Sequence, residues 1–134
     1  MEKLLDTNII SYWMRGDEAV ISRMKTCKPC DLAISAITIA EIIYGIEKSP
    51  SRKEERREKL NLIRSELIVL PFDELAAEEY GVIRSYLESK GIPISERDLQ
   101  IAAIARSNHL VVVTHNTREF SRIPGLQLED WALI

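Results

Sequence analysis

"LVVVTHN", residues 110–116, decides the fold. A leucine and three valines run straight into a threonine, a histidine and an asparagine. A run so short, β-branched and evenly apolar reads as a strand buried on both faces, and such strands belong to parallel sheets covered by helices. "KLLD" near the N-terminus repeats the pattern, a short apolar run closed by the carboxylate of Asp6. "DLAIS" repeats it again and closes on Ser35.

Between and around these runs the period changes to that of helices. "TNIISYWM" and "EAVISRMKT" follow the first strand, "AITIAEIIYGIE" follows the second, and a charged helix over about 51–66 leads into a third strand, "LIVLPF". Asp73 caps a helix through "ELAAEEYGVIRSYLESK" that ends at Gly91, and "SERDLQIAAIARSN" forms another. A short helix near "REFSRI" precedes a final strand around "LQLED". Strands alternating with helices predict an α/β fold, Rossmann-like and three-layered, with a central, mainly parallel sheet flanked by helices. In such open sheets ligands bind beyond the carboxyl ends of the strands, where the strand order reverses. Asp6, Ser35, Thr114, His115 and Asn116 are thereby predicted to share one rim.

The 134 residues predict a single domain spanning 1–134, with a hydrophobic fraction of 46% and charged residues at 29%. No apolar stretch is long enough to span a bilayer, and "MEKLLD" turns acidic too soon for a signal peptide, so a cytoplasmic setting is expected. A formal net charge of −3 gives no global attraction to nucleic acid. A polyanion would need a local basic patch or metal ions. Cys27 and Cys30 form a CxxC, but no second pair accompanies them and both histidines lie far along the chain. They read as two loop cysteines.

Two further carboxylates stand in apolar company. Glu41 lies inside "ITIAEIIYGI" and Asp98 opens "DLQIAAIA". Acids are rarely buried unless paired or bound to metal. Each also fits a capping box, Thr38–Glu41 and Ser95–Asp98, with Asn116–Glu119 a looser relative. Asp6 itself is a good N-cap residue. Capping alone does not require several acids to meet at one rim.

Taken together, "LLDTN", "SAITIAEIIYGIEKS", "GIPISERDLQIAAIA" and "LVVVTHNTREFSRIPGLQLEDW" resemble the successive blocks of a PIN domain, and most closely the VapC-type toxins of bacterial toxin–antitoxin pairs. The resemblance implies a PIN fold and a metal-dependent endoribonuclease leaving 5′-phosphate and 3′-hydroxyl ends. It carries the family's three metal-site acids onto Asp6, Glu41 and Asp98. The fourth position, often Asp in the family, falls on Asn116, with Glu119 as a further carboxylate. Asn8 and Thr114 become hydrogen-bonding support. A VapB-type antitoxin, a homodimer, operator DNA bound only through the antitoxin complex, and tRNA or ribosomal RNA loops as targets are implied in the same way.

An all-oxygen donor set suits Mg²⁺, with Mn²⁺ as a substitute, better than zinc. Arg15, Arg97, Arg118 and Arg122 are the candidate RNA-phosphate contacts near the rim. Residues 52–59, "RKEERREK", read as a solvated charged helix. Other classes compete: a Mg²⁺-dependent phospho-acceptor or phosphatase domain, and a non-catalytic PIN-fold binding module. The phospho-acceptor needs paired acids after the first strand and a lysine at a late strand end, where this chain has "DTN" and "THN", and the phosphatase needs a second Asp where Asn8 stands.

Overall fold

A computed structural model describes residues 1–132. Five strands form one sheet: β1 (Lys3–Leu5), β2 (Leu32–Ser35), β3 (Ile68–Leu70), β4 (Val111–Val113) and β5 (Leu128–Glu129). Their order is β3-β2-β1-β4-β5, and all four pairings are parallel, so the sheet is wholly rather than mainly parallel. Seven α-helices join them among the described residues: α1 (Thr7–Met14), α2 (Glu18–Met24), α3 (Ala36–Lys48), α4 (Lys53–Glu66), α5 (Glu74–Ser89), α6 (Glu96–Ser107) and α7 (Thr117–Phe120).

Side chains alternate across the strands, and the register sorts them into two cores. Leu4 pairs with Ala33 and Val112, all facing the cluster that α5 and α6 cover with Ile83, Leu87 and Leu99. Leu5 pairs with Ile34 and Val113 on the opposite face, under Ile9, Ile42 and Leu60 of α1, α3 and α4. Residues 101–105 of α6 are all buried, which explains why its sequence shows no polar face. Leu60, Ile63 and Leu67 sink into the second core, and Arg56 of α4 turns onto the end of α3, donating to the Ile46 and Ser49 carbonyls.

The third strand is shorter than "LIVLPF" suggested: Pro71 cannot donate to a ladder, and Phe72 meets the Tyr80 ring of α5 edge-on. Gly91, at φ 69°, ends α5 in the left-handed conformation that favours glycine. Cys27 and Cys30 are free, in the connection before β2. No helix among the described residues is long and apolar enough to cross a membrane.

Strand order runs outward from β1 to β3, then restarts on the other side of β1 with β4. The crevice that doubly wound sheets use for ligands therefore lies at the carboxyl ends of β1 and β4.

Candidate active site

Asp6 directly follows β1 and Thr114 directly follows β4, and the two are joined: the Thr114 hydroxyl donates to Asp6 Oδ2 at 2.7 Å. The other oxygen, Oδ1, accepts from the Thr7 backbone N–H at 2.7 Å and caps α1. Asp6 is thus both a cap and a rim acid. It is only 3% exposed. Burial raises its carboxyl pKa, the hydrogen bonds from Thr114 and Thr7 pull it back, and the nearby charges of Glu41 and Glu119 push it up again.

Glu41 projects from α3 into the same cleft. The helix begins at Ala36 with Ser35 as its N-cap, so Thr38 is already inside it and Glu41 caps nothing. Its Oε1 accepts from the Thr7 hydroxyl at 2.8 Å, and its Oε2 pairs with the exposed Arg97 at 2.9 Å. Proton counting gives the remaining directions. Thr7 has one hydroxyl proton and spends it on Glu41, so the 3.0 Å contact with Thr38 must be donated by Thr38. Thr38 then has none left for Ser35, whose hydroxyl donates to it at 3.3 Å. Ser35 and Thr38 are fully buried. A one-way chain, Ser35 to Thr38 to Thr7, ends on Glu41.

Asp98 stands in the first turn of α6. Ser95 caps that helix by accepting from the Asp98 N–H, but the reciprocal bond of a capping box comes from elsewhere: the Ser95 N–H donates to Glu119 at 3.3 Å. Asn116 heads α7 without a side-chain cap bond, and its Nδ2 instead bridges Asp98 at 2.7 Å and Glu119 at 2.8 Å. Burial, the adjoining Glu119 and the Asp6 charge push the Asp98 carboxyl up to about 8. Glu119 is held low, chiefly by a hydrogen bond from Asp98, so Asp98 is the member of the pair that holds the proton.

These groups line an open cleft of about 380 Å³ at the switch point. Among the described residues no three His, Cys, Asp or Glu side chains converge closely enough to grip one ion as they stand. The donor chemistry nonetheless suits a hard cation that keeps several waters and takes only a few carboxylates. Every candidate donor is oxygen, and two buried or half-buried carboxyls are held uncomfortably near other acids.

A PIN domain profile matches residues 3–126. The chain belongs to the PIN-domain family. The tRNA(fMet)-specific endonuclease VapC of Salmonella typhimurium is 41% identical over 128 residues, covering 96% of each chain. That of Shigella flexneri is 38% identical over 129 residues, 96% of this chain and 97% of its own. The crystal structure of DNA-bound VapBC from Salmonella typhimurium superposes with a TM-score of 0.91 at 40% identity, covering 98% of both chains.

Not every candidate of this PIN domain stands at the cleft in the same way. Asp6, Glu41, Asp98, Asn116, Asn8 and Arg15 line it. Glu119 reaches it through Asn116, and Thr114 through Asp6. Arg122 donates to the Pro93 carbonyl at 2.7 Å and helps hold Glu119 ionised, which ties down the loop before α6. Arg118 is exposed and lies outside the cleft lining. Sequence reasoning missed Thr7 as the partner of Glu41 and Thr38 as the residue behind it. The one available signal was the i, i+3 spacing of Thr38 and Glu41, which puts both on one face of α3.

Proposed function

We propose that this PIN domain is the toxin of a VapBC-type pair, a metal-dependent endoribonuclease that its antitoxin holds inactive. The observation that carries the reading is the meeting of Asp6, Glu41 and Asp98 around one cleft at the switch point of the sheet. Relatives named as tRNA(fMet)-specific endonucleases cover nearly the whole chain and make tRNA the first substrate to test.

The assigned ion is Mg²⁺, replaceable by Mn²⁺, held by Asp6, Asp98 and Glu41 with Asn116 or Glu119 as the fourth corner. When bound, such an ion supplies an activated water and neutralises charge on the scissile phosphate. The protein does the rest. Thr114 fixes the rotamer of Asp6, and the Ser35–Thr38–Thr7 chain aims Glu41. Asn116 presents an amide oxygen or nitrogen as the occupancy of the cleft demands. Arg15 and Arg97 stand at the cleft edge to take flanking phosphates, with Arg118 and Arg122 further out. Cleavage leaves 5′-phosphate and 3′-hydroxyl ends.

The antitoxin covers the acid cleft with a basic or apolar tail. A homodimer acts in the cytoplasm and reaches operator DNA only through the antitoxin complex. Related VapBC complexes have been solved bound to DNA, from Rickettsia felis as from Salmonella typhimurium. The test is cleavage of tRNA by purified protein with Mg²⁺ against EDTA, with RNA 5′ ends mapped. Undiminished cleavage by a folded Asp98→Asn variant would sink the site. Acyl-phosphate labelling at Asp6 would point instead to a phospho-acceptor.

A further inference from the structure

Along the edge of the acid cleft runs a short aromatic lip that the metal chemistry does not use. Asn8 and Tyr12, one turn apart, share a face of α1 and both line the cleft. Asn8 Oδ1 accepts from the His115 backbone N–H at 3.2 Å. The His115 ring itself is held from beyond α1, its Nδ1 lying 3.0 Å from Oδ2 of the nearly buried Asp130. Tyr12 meets that ring edge-on, centroids 6.0 Å apart at 72°. The exposed Arg15 lies over the Tyr12 ring at 5.1 Å.

Yet the His115 side chain remains 46% exposed. Ordering an exposed side chain costs rotamer freedom that burial does not repay here. Anchoring it from α1 on one side and Asp130 on the other makes sense if the ring is a surface kept ready for something flat. Most of the cleft lining beside it is hydroxyl, amide and carboxylate. Every nucleobase has a π-face, and unpaired bases bind proteins by stacking on aromatic rings and guanidinium planes.

We infer that Tyr12 and His115 form a seat for one unpaired nucleobase beside the cleaved bond, with Arg15 as the movable cover. The inference rests on the ribonuclease reading for its ligand class. Among the described residues Arg15 is held over Tyr12 by an exposed cation–π contact, weaker than base stacking, so a base can displace it or be sandwiched beneath it.

The test separates base from backbone. Binding is measured in Mg²⁺ on the full chain carrying Asp98→Asn to block cleavage. The probes are an oligoadenylate of about twelve nucleotides, within the usual span of single-strand sites, and an abasic oligoribophosphate of equal length and charge. The seat predicts tighter binding of the oligoadenylate, by about tenfold for one stacked base. Adding His115→Ala or Tyr12→Leu should erase most of that preference and leave the abasic affinity unchanged. Tyr12→Trp should keep it. His115 is at the surface, so its variant reports even if a Tyr12 variant folds poorly. A preference that survives His115→Ala and Tyr12→Leu overturns the seat and spares the ribonuclease reading. Failure of both oligomers to bind overturns both.

Discussion

Raising the pH on metal-free protein should destabilise it, with Asp98 as the main cause. Its carboxyl titrates near 8 in the folded state, pushed up first by burial and then by Glu119 and the Asp6 charge, against an ordinary value of 3.8. The folded state therefore binds this proton more tightly than the unfolded chain. The resulting stability is fully present below the unfolded pKa and is lost as pH rises through the folded one. From about pH 5 to about pH 8 an unscreened carboxyl would cost about 4 kcal/mol, at about 1.4 kcal/mol per pH unit. Asp98 is only partly buried, and solvent screening reduces the figure to about 2 kcal/mol. Glu119 does not offset this loss, because its own depressed pKa acts only at acid pH, below its ordinary value of 4.5. Asp6, also raised, adds in the same direction as Asp98. For a chain of this size the melting temperature should fall by about 6 °C.

The assay is thermal melting in EDTA at about pH 5 and about pH 8.5, for wild type and Asp98→Asn, a comparison scaled by the same linkage. Asparagine at 98 can still accept from Asn116 and can itself donate to Glu119, so it mimics the protonated acid. The variant should lose much of the pH slope and melt above wild type at the alkaline end. Mg²⁺ should restore the wild type most at high pH, since binding must expel the proton, by about 2.7 kcal/mol at a hundred times the dissociation constant. A wild type that melts no lower at alkaline pH, or an Asp98→Asn variant with an undiminished slope, refutes the reasoning.

Thr7→Val removes the donor to Glu41 and the acceptor for the buried Thr38 hydroxyl, and should cost about 1–3 kcal/mol. In tRNA cleavage kinetics kcat should fall with KM little changed, and Thr7→Ser should restore both properties; no rescue by serine would disprove the hydroxyl chain. Arg97→Gln breaks an ion pair between an exposed arginine and the mostly buried Glu41, so melting in EDTA should move by about 1 kcal/mol or less in stability. Calorimetric Mg²⁺ affinity should rise because a competing cation has left Glu41, and weaker binding would exclude competition. Asn116→Asp should raise Mg²⁺ affinity or alter the preference between Mg²⁺ and Mn²⁺. An indifferent ion would leave Glu119, or three acids alone, as the site.

Much of the fold was legible because the strands announce themselves. "LVVVT" and "KLLD" are buried on both faces, so burial and sequence say the same thing, and their polar terminators mark the rim. The edge strands were less legible. In β3 Ile68 and Val69 are exposed, and β5 is two residues long, so neither carries the double-sided burial that marks a central strand. The hydroxyl chain was not legible at all. It exists because α1 and α3 pack closely enough to bring Thr7 within 3.0 Å of Thr38, a contact between positions 31 apart that no local pattern encodes.

The capping motifs show why local sequence rules misread such a site. Each supposed box places an acid three residues after a hydroxyl or amide, which is also how a helix start presents a carboxylate to a strand-end rim. Capping requires the fourth residue to turn back onto the first. Here Glu41 turns forward to Thr7 and Arg97, Asp98 turns to Asn116, and the Ser95 N–H is served by Glu119 from another helix. Released from the backbone, Asp98 lines the cleft with its carboxyl tied to Asn116. Asp6 needs no such release: a carboxylate has two oxygens, and one holds Thr7 N–H while the other turns to Thr114. Capping and lining the cleft were never alternatives for that residue, because the helix start and the switch point occupy the same few ångströms of chain.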